Sequence, residues 1–269
     1  MSVLTELQIN SLNQDGFLIL PDLFNELEIE QLKSGLPDLL SEQNEANIVE
    51  KASGKVRTAM ALHERDNAFN QLVHDTRLLD PAHQIRPEPL YIQQVKVNVK
   101  AAFSGEVWQW HYDFATHHSD DGVSKPLALN LHVFLDDVNE FNGPLYFIPG
   151  SHRYGAHKAH HDVSTTSYPL WVVDNDLVQN LIKEAEKIDP ARGIVSATGR
   201  KGSGLIFFDS LIHGSPINMS PWDRAIFSLI LNPVSNAYQF DNRPDYKHHR
   251  DLTPVHEMVQ AVLKMKKYL

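Results

Sequence analysis

Apolar residues in roughly the first ninety positions recur at the spacing of helix faces, and from Tyr91 onward the period falls to two, the alternation of strands with one buried side. The pattern predicts a short amphipathic helix over 3–15, ended by Gly16, then an apolar strand in FLILPDLF broken at Pro21. A second helix is expected from Glu26 to Leu40 and a third from Asn67 to Leu79. The polar stretch 41–66 reads as irregular, and Pro81 to Pro89 as a Pro-rich break. Six strand candidates follow: YIQQVKVNVK, VWQWHYDF, LALNLHVFLDDV, PLYFIPG, GSGLIFFDSLIHG and AIFSLILNPV. Between PLYFIPG and GSGLIFFDSLIHG, GAHKAHHDVSTTSYP reads as a long loop and Asn175 to Lys187 as a helix. The expected class is mainly β, a sandwich or barrel decorated by N-terminal helices. We expect one domain over 1–269: a helical part to about residue 90, a β core over 91–235 and an extension over 236–269.

Composition narrows the chemistry. With 42% apolar residues in 269, the chain can bury a sizeable core. It has no cysteine, so disulfides, thiolate-bound zinc, iron–sulfur clusters and a cysteine nucleophile are excluded, and a metal would be held by His and carboxylates. A net charge of −10 without a dense Lys/Arg cluster argues against a nucleic-acid partner. No apolar stretch reaches membrane-spanning length, and MSVLTELQINSLNQDG lacks the regions of a signal peptide, so a cytoplasmic protein with no membrane partner is expected. The basic tail KMKKYL reads as a solvated helix end. Oligomeric state leaves no signature.

Fifteen histidines make chance motifs common, and His-x-Asp occurs four times, at His111/Asp113, His118/Asp120, His160/Asp162 and His249/Asp251. Context separates them. In WQWHYDF, read as a strand, the large apolar residues 108, 110, 112 and 114 share one face, which leaves Gln109, His111 and Asp113 together on the other. The other three tripeptides sit in polar runs that read as solvated loops.

His213, 100 residues after Asp113, ends an apolar run before a Gly turn and supplies a third ligand. Two His and one carboxylate match the facial triad of non-haem iron(II) oxygenases, which leaves positions open for 2-oxoglutarate and O2. Arg224, eleven residues on, starts the next strand and offers a guanidinium fork to the distal carboxylate of 2-oxoglutarate, with Ser215 or a nearby hydroxyl assisting. Two other readings stay open: a His2Asp zinc hydrolase, against which Arg224 and the PGSH turn speak, and a non-catalytic β-barrel binding protein.

DGFLIL, WHYDF, NGPLYFIPGSHRYG and HGSPINMSPWDRAIFSL, in this order, resemble the phytanoyl-CoA dioxygenase superfamily of iron(II)/2-oxoglutarate oxygenases over essentially the whole chain. The resemblance implies a double-stranded β-helix, a jelly-roll with iron at one mouth. WQWHYDFATHHSDDG is similar to the ectoine hydroxylase group and its relatives acting on free amino acids. It implies that Gln94, Asn98, Asn130 and Ser215 join Arg224 around 2-oxoglutarate. His117 stands where ectoine hydroxylases carry a Trp, which points away from ectoine to another small amino acid. Asp113 is present where the superfamily's halogenases have a small residue, which favours hydroxylation. The expected substrate is a free aliphatic amino acid, leucine- or proline-like, or a close derivative. Thr116 and His117 would line its site, Asp121 would meet its amine and Arg243 its carboxylate. An acyl-CoA would call for clustered basic residues that this acidic chain lacks.

Overall fold

In the computed structural model, residues 3–155 and 157–255 are described; the tail KMKKYL lies outside them. Helix α1 (Glu6–Asp15) opens with a reciprocal Thr5/Gln8 cap, which satisfies two of the backbone N–H groups that a helix start leaves without partners. It stops at Gly16, whose φ of 88° is left-handed and where a Cβ would stand 2.4 Å from the His152 ring. Strand β1 (Phe17–Leu20) follows at once. The single helix expected over 26–40 is two, α2 (Glu26–Ser34) and α3 (Leu36–Ser41). Pro37 has no N–H to bond back to Lys33, so the helix restarts at Gly35 rather than continuing.

The stretch read as irregular holds β2 (Asn47–Val49), β3 (Val56–Met60) and the single turn α4 (Leu62–Arg65). Alternation is invisible there because β3 buries Arg57 and Thr58, which look like solvent-facing residues. Arg57 pairs with Glu106 at 2.5 Å and lies 4.0 Å over the Trp108 ring. The helix expected over 67–79 divides into α5 (Asn67–Val73) and α6 (Thr76–Ile85), and α6 carries Pro81 inside it with Leu78, Leu79 and Ala82 in the core.

From residue 90 the described residues form ten strands rather than six, with two α-helices among them. In order they are β4 (Leu90–Lys100), β5 (Trp108–His111), α7 (Asp113–Asp121), β6 (Leu129–Phe134), β7 (Leu145–Phe147), β8 (Ala159–Asp162) and β9 (Leu170–Val173). After them come α8 (Asn175–Ile188), β10 (Val195–Ala197), β11 (Gly204–Phe208), β12 (His213–Ser215) and β13 (Arg224–Pro233). The presumed loop over 155–169 thus contains β8, and the run GSGLIFFDSLIHG splits into β11 and β12 at the turn around Asp209.

Pairing is antiparallel throughout. Seven strands follow the order β1-β11-β6-β13-β4-β3-β2, and six follow β10-β7-β12-β5-β9-β8. Two such sheets facing each other are the expected jelly-roll. Val95 and Val97 of β4, Leu129, Leu131 and Val133 of β6, and Leu229 and Leu231 of β13 turn outward and join Leu12, Ile29, Leu62, Phe69 and Leu79 from the helices in one apolar cluster. Each such Leu or Val contributes roughly 1.5–3 kcal/mol on burial. A second cluster packs α8 against α7 and the outer side of the smaller sheet through Tyr112, Phe114, Val178 and Leu181. A third, with Phe17, Phe134, Phe147, Leu205 and Phe207, fills the space between the sheets. The alternate residues of β4, β6 and β13 therefore face inward, and these carry the polar groups.

Candidate active site

His111 and His213 are opposed across the β5–β12 pairing, with ring centroids 4.1 Å apart. Asp113 Oδ1 lies 3.7 Å from His111 Nε2 and 4.0 Å from His213 Nε2. Two atoms on one ion stand at most twice a bond length of ~2.1 Å apart, about 4.2 Å, and both separations fall within that limit. The three ligand atoms all lie within 4.8 Å of one another. Each imidazole Nδ1 faces a carbonyl, Gln109 O at 2.6 Å and Leu211 O at 2.9 Å. A carbonyl only accepts, so both rings carry their proton on Nδ1 and turn the Nε2 lone pair towards Asp113. This donor set fits a divalent metal that accepts nitrogen and oxygen.

Electrostatics agree with that reading. Burial, aided by His213, pushes His111 down to about 3, and burial lowers His213 too, so both rings are neutral at physiological pH. Burial alone would raise Asp113, but His213, Lys96 and His111 outweigh it and hold the carboxyl well below its ordinary range. The site therefore presents two neutral nitrogens and one carboxylate.

Asp113 reaches this position differently from the strand reading. β5 ends at His111, and Asp113 is the first residue of α7, where the positive end of the helix favours a carboxylate. Trp108 departs as well: it lines the pocket with His111, while Trp110, Tyr112 and Phe114 pack outside. Gln109 bonds Asp162 on β8 at 2.8 Å. Of the other His-x-Asp pairs, His118/Asp120 lies in α7 and His160/Asp162 on β8 rather than in loops.

Inward-facing residues of the larger sheet complete the pocket: Gln94, Lys96 and Asn98 from β4, Asn130 and His132 from β6, Phe207 from β11, and Arg224 and Ile226 from β13. Arg224 is 2% exposed and makes no pair with Asp223, which instead accepts from Ala102 N at 2.7 Å. Its Nη2 donates to Gly143 O and lies 3.4 Å from Ser215 Oγ, while its Nε finds no partner among the described residues. Gly143 has a φ of 76°, and a Cβ there would press to 2.5 Å on the Lys100 side chain, so only glycine brings that carbonyl to the guanidinium. Burial lowers Arg224 to about 10, which leaves it charged at neutral pH. Asn130 Nδ2 and both His132 ring nitrogens are likewise buried without hydrogen-bond partners among the described residues. Buried polar groups left unpaired in this way each cost about 1–3 kcal/mol unless a ligand meets them, and the Asn130 amide and the single N–H of a neutral His132 can donate to an acceptor-rich dicarboxylate. Ser215 Oγ donates to Gly143 O, Asn98 accepts from Thr58 at 2.9 Å, and Gln94 donates to Lys247 O at 2.6 Å.

The substrate-facing expectations fare unevenly. Thr116 and His117 line the pocket. His117 Nδ1 stands 3.8 Å from Asp209, whose carboxylate is fully buried and accepts no hydrogen bond from the described residues. Burial pushes Asp209 up to about 6. Asp121 does not line the pocket. It is 1% exposed, is gripped by both Nε and Nη2 of Arg243, and lies 2.9 Å from His248 Nδ1, which leaves no room for a substrate amine. Arg243 does line the pocket, but with its charge already matched.

Lys96 escaped the sequence reading. It is half-buried in the pocket wall, Nζ donates to Gln94 Oε1 at 2.6 Å, and no carboxylate among the described residues pairs with it at ion-pair distance. Burial lowers its pKa, and Asp113 partly restores it. Its signal was present, since Lys96 sits between Gln94 and Asn98 at strand period. Tyr168, just before β9, and Leu170, its first residue, which close the pocket, had none.

The sequence profile of the phytanoyl-CoA dioxygenase family matches residues 12–226. An L-proline trans-4-hydroxylase of Streptomyces griseoviridis is 33% identical over 251 residues, covering 90% of this chain and 91% of the relative. An ectoine dioxygenase of Bordetella bronchiseptica is 33% identical over 255 residues, covering 89% and 80%. The crystal structure of EctD from S. alaskensis with 2-oxoglutarate and 5-hydroxyectoine superposes with a TM-score of 0.80 at 30% identity, covering 93% of this chain and 85% of that one. The same protein with bound Fe gives 0.79 at 29%, with the same coverage.

Proposed function

The chain belongs to the phytanoyl-CoA dioxygenase family, and we propose that it is an iron(II)/2-oxoglutarate-dependent hydroxylase of a free aliphatic amino acid, with proline or a proline-like ring as the leading candidate. The observation that carries the reading is the convergence of a neutral His111/His213 pair and an ionised Asp113 on one pocket with the buried Arg224. Bound iron and O2 supply the oxidation: 2-oxoglutarate loses CO2 to become succinate, taking one oxygen atom, while the other enters a substrate C–H bond as hydroxyl.

The protein's part is to bind, orient and exclude water. His111, Asp113 and His213 hold the metal, and their backbone-fixed tautomers keep Nε2 aimed at it. Arg224, with Ser215 beside it, takes the distal carboxylate of 2-oxoglutarate, and Asn130, Gln94 and Asn98 line its path. Lys96, rather than Arg243, anchors the substrate carboxylate, since it is the pocket ammonium without a carboxylate of its own. Thr116 and His117 face the rest of the substrate, and His117, backed by Asp209, offers a polar edge. The wall formed by Trp108, Tyr168 and Leu170 shields the reacting carbon from solvent. No helix among the described residues is long and apolar enough to cross a membrane. The proposal includes a single-domain enzyme working in the cytoplasm on a small-molecule substrate.

The test is succinate release from the protein given iron(II), ascorbate, 2-oxoglutarate and each of the twenty amino acids plus ectoine. Stimulation by one aliphatic amino acid, with hydroxylated product by mass and loss in His111→Ala, is the expected result. Turnover that is independent of 2-oxoglutarate, or unchanged in His111→Ala, would refute the assignment.

A further inference from the structure

Outside the barrel mouth, His63 and Glu64 on α4 meet His249 from the segment that follows the last strand. His249 Nδ1 lies 3.2 Å from Glu64 Oε1, and the two imidazole rings meet edge to face with centroids 4.8 Å apart at 82°. One ligand atom from each of the three residues lies within 4.8 Å of the others. His63 is only 7% exposed, yet neither ring nitrogen has a hydrogen-bond partner among the described residues. At least one of these nitrogens carries a lone pair that the fold leaves without a donor, an arrangement that usually costs about 1–3 kcal/mol. Burial, with His249 nearby, pushes His63 down to about 3, so the ring is neutral and able to ligate. Glu64 is exposed and open to water.

We propose that His63, Glu64 and His249 form a second cation site, for a divalent ion of the zinc class, that clamps the segment 245–249 against α4. Two imidazoles and a carboxylate are a ligand set that such ions accept, with water completing the shell. The segment it would clamp also reaches the catalytic pocket. Lys247 O accepts from Gln94 Nε2 at 2.6 Å, His248 Nδ1 stands 2.9 Å from Asp121, and His249 N donates to Gln93 O at 2.8 Å. An ion on the outer side would thus hold in place the residues that brace Gln94 and the Asp121–Arg243 pair on the inner side. Its role is positional, and the oxidation chemistry stays with the triad.

The experiment counts zinc. Metal-free full-length protein is equilibrated with zinc chloride, freed of loose ion by gel filtration, and its zinc measured per chain. Two equivalents are expected in the parent, one in His249→Ala, one in His111→Ala and none in the double variant. Glu64→Gln, at an exposed position, repeats the test if His249→Ala folds poorly, and is expected to lose the same equivalent. A parent with one equivalent that persists in His249→Ala overturns the site. So do two equivalents that both persist, which would put the second ion elsewhere. In the His111→Ala background, zinc is expected to slow amide exchange over 245–249, and unchanged exchange overturns the clamp.

Discussion

Replacing Lys96 with Met separates the two jobs a pocket cation can have. Met keeps the unbranched stem and its packing against β13 but removes the ammonium, which at present bonds only Gln94 among side chains. If Nζ holds the substrate carboxylate, the variant loses a hydrogen bond between charged groups, about 1.5–3 kcal/mol. At 1.36 kcal/mol per decade, kcat/KM for the amino acid should fall about 10- to 150-fold. Because burial already lowers the pKa of Lys96, removing the charge costs the fold little, and the Tm should hold or rise. The assay is succinate release with the amino acid varied at saturating 2-oxoglutarate, then the reverse, alongside thermal unfolding. A fall confined to the amino acid, carried mostly by KM, is expected. If kcat/KM for the amino acid stays within twofold of the parent, or if only the KM for 2-oxoglutarate rises, the anchor is not Lys96.

Arg224→Lys keeps the charge but loses the fork, so the KM for 2-oxoglutarate should rise about 10- to 100-fold while stability changes little; an unchanged KM would remove Arg224 from the cosubstrate site. Asp209→Asn tests the buried carboxyl behind His117. Its pKa is raised from 3.8 to about 6, so the folded chain keeps the proton to higher pH than the unfolded one. The stability from this group is complete below 3.8 and lost as pH rises through about 6, a cost of about 3 kcal/mol at neutral pH. Asp209→Asn should therefore be more stable than the parent at pH 8 and equal to it near pH 4 in urea unfolding. A variant equally destabilised at both would show that Asp209 is held as a paired anion.

The jelly-roll was legible where alternation is strict. β4, β6 and β13 place Val and Leu on the helix side and polar residues on the pocket side, and the period alone marks them as strands. It failed where burial and polarity part company. β3 buries Arg57 because Glu106 and the Trp108 face receive it, and β8 exposes His160 and His161 at a sheet edge, so neither shows an apolar face. Helix breaks at Gly35 and between α5 and α6 depend on single caps, Pro37 and the Asp75 side chain, which periodicity averages away.

The candidate site teaches a sharper point about faces. Treating 108–114 as one strand put His111 and Asp113 together for the wrong reason: the chain leaves the strand after His111, and Asp113 enters the pocket from a helix start. Two residues can share a site without sharing a face. The converse case is Asp121 and Arg243, which read as free charges because each sits in a polar run, whereas the fold joins them across 122 positions, with Arg243 still in the pocket wall. A charge is available to a ligand only when no opposite charge of the protein has reached it first. That rule picks Lys96 over Arg243, and it could have been half applied to the sequence, since strand period already put Lys96 beside Gln94 and Asn98. The other half, that Arg243 is spent on Asp121, requires the path of the chain after β13 and is invisible to any local pattern.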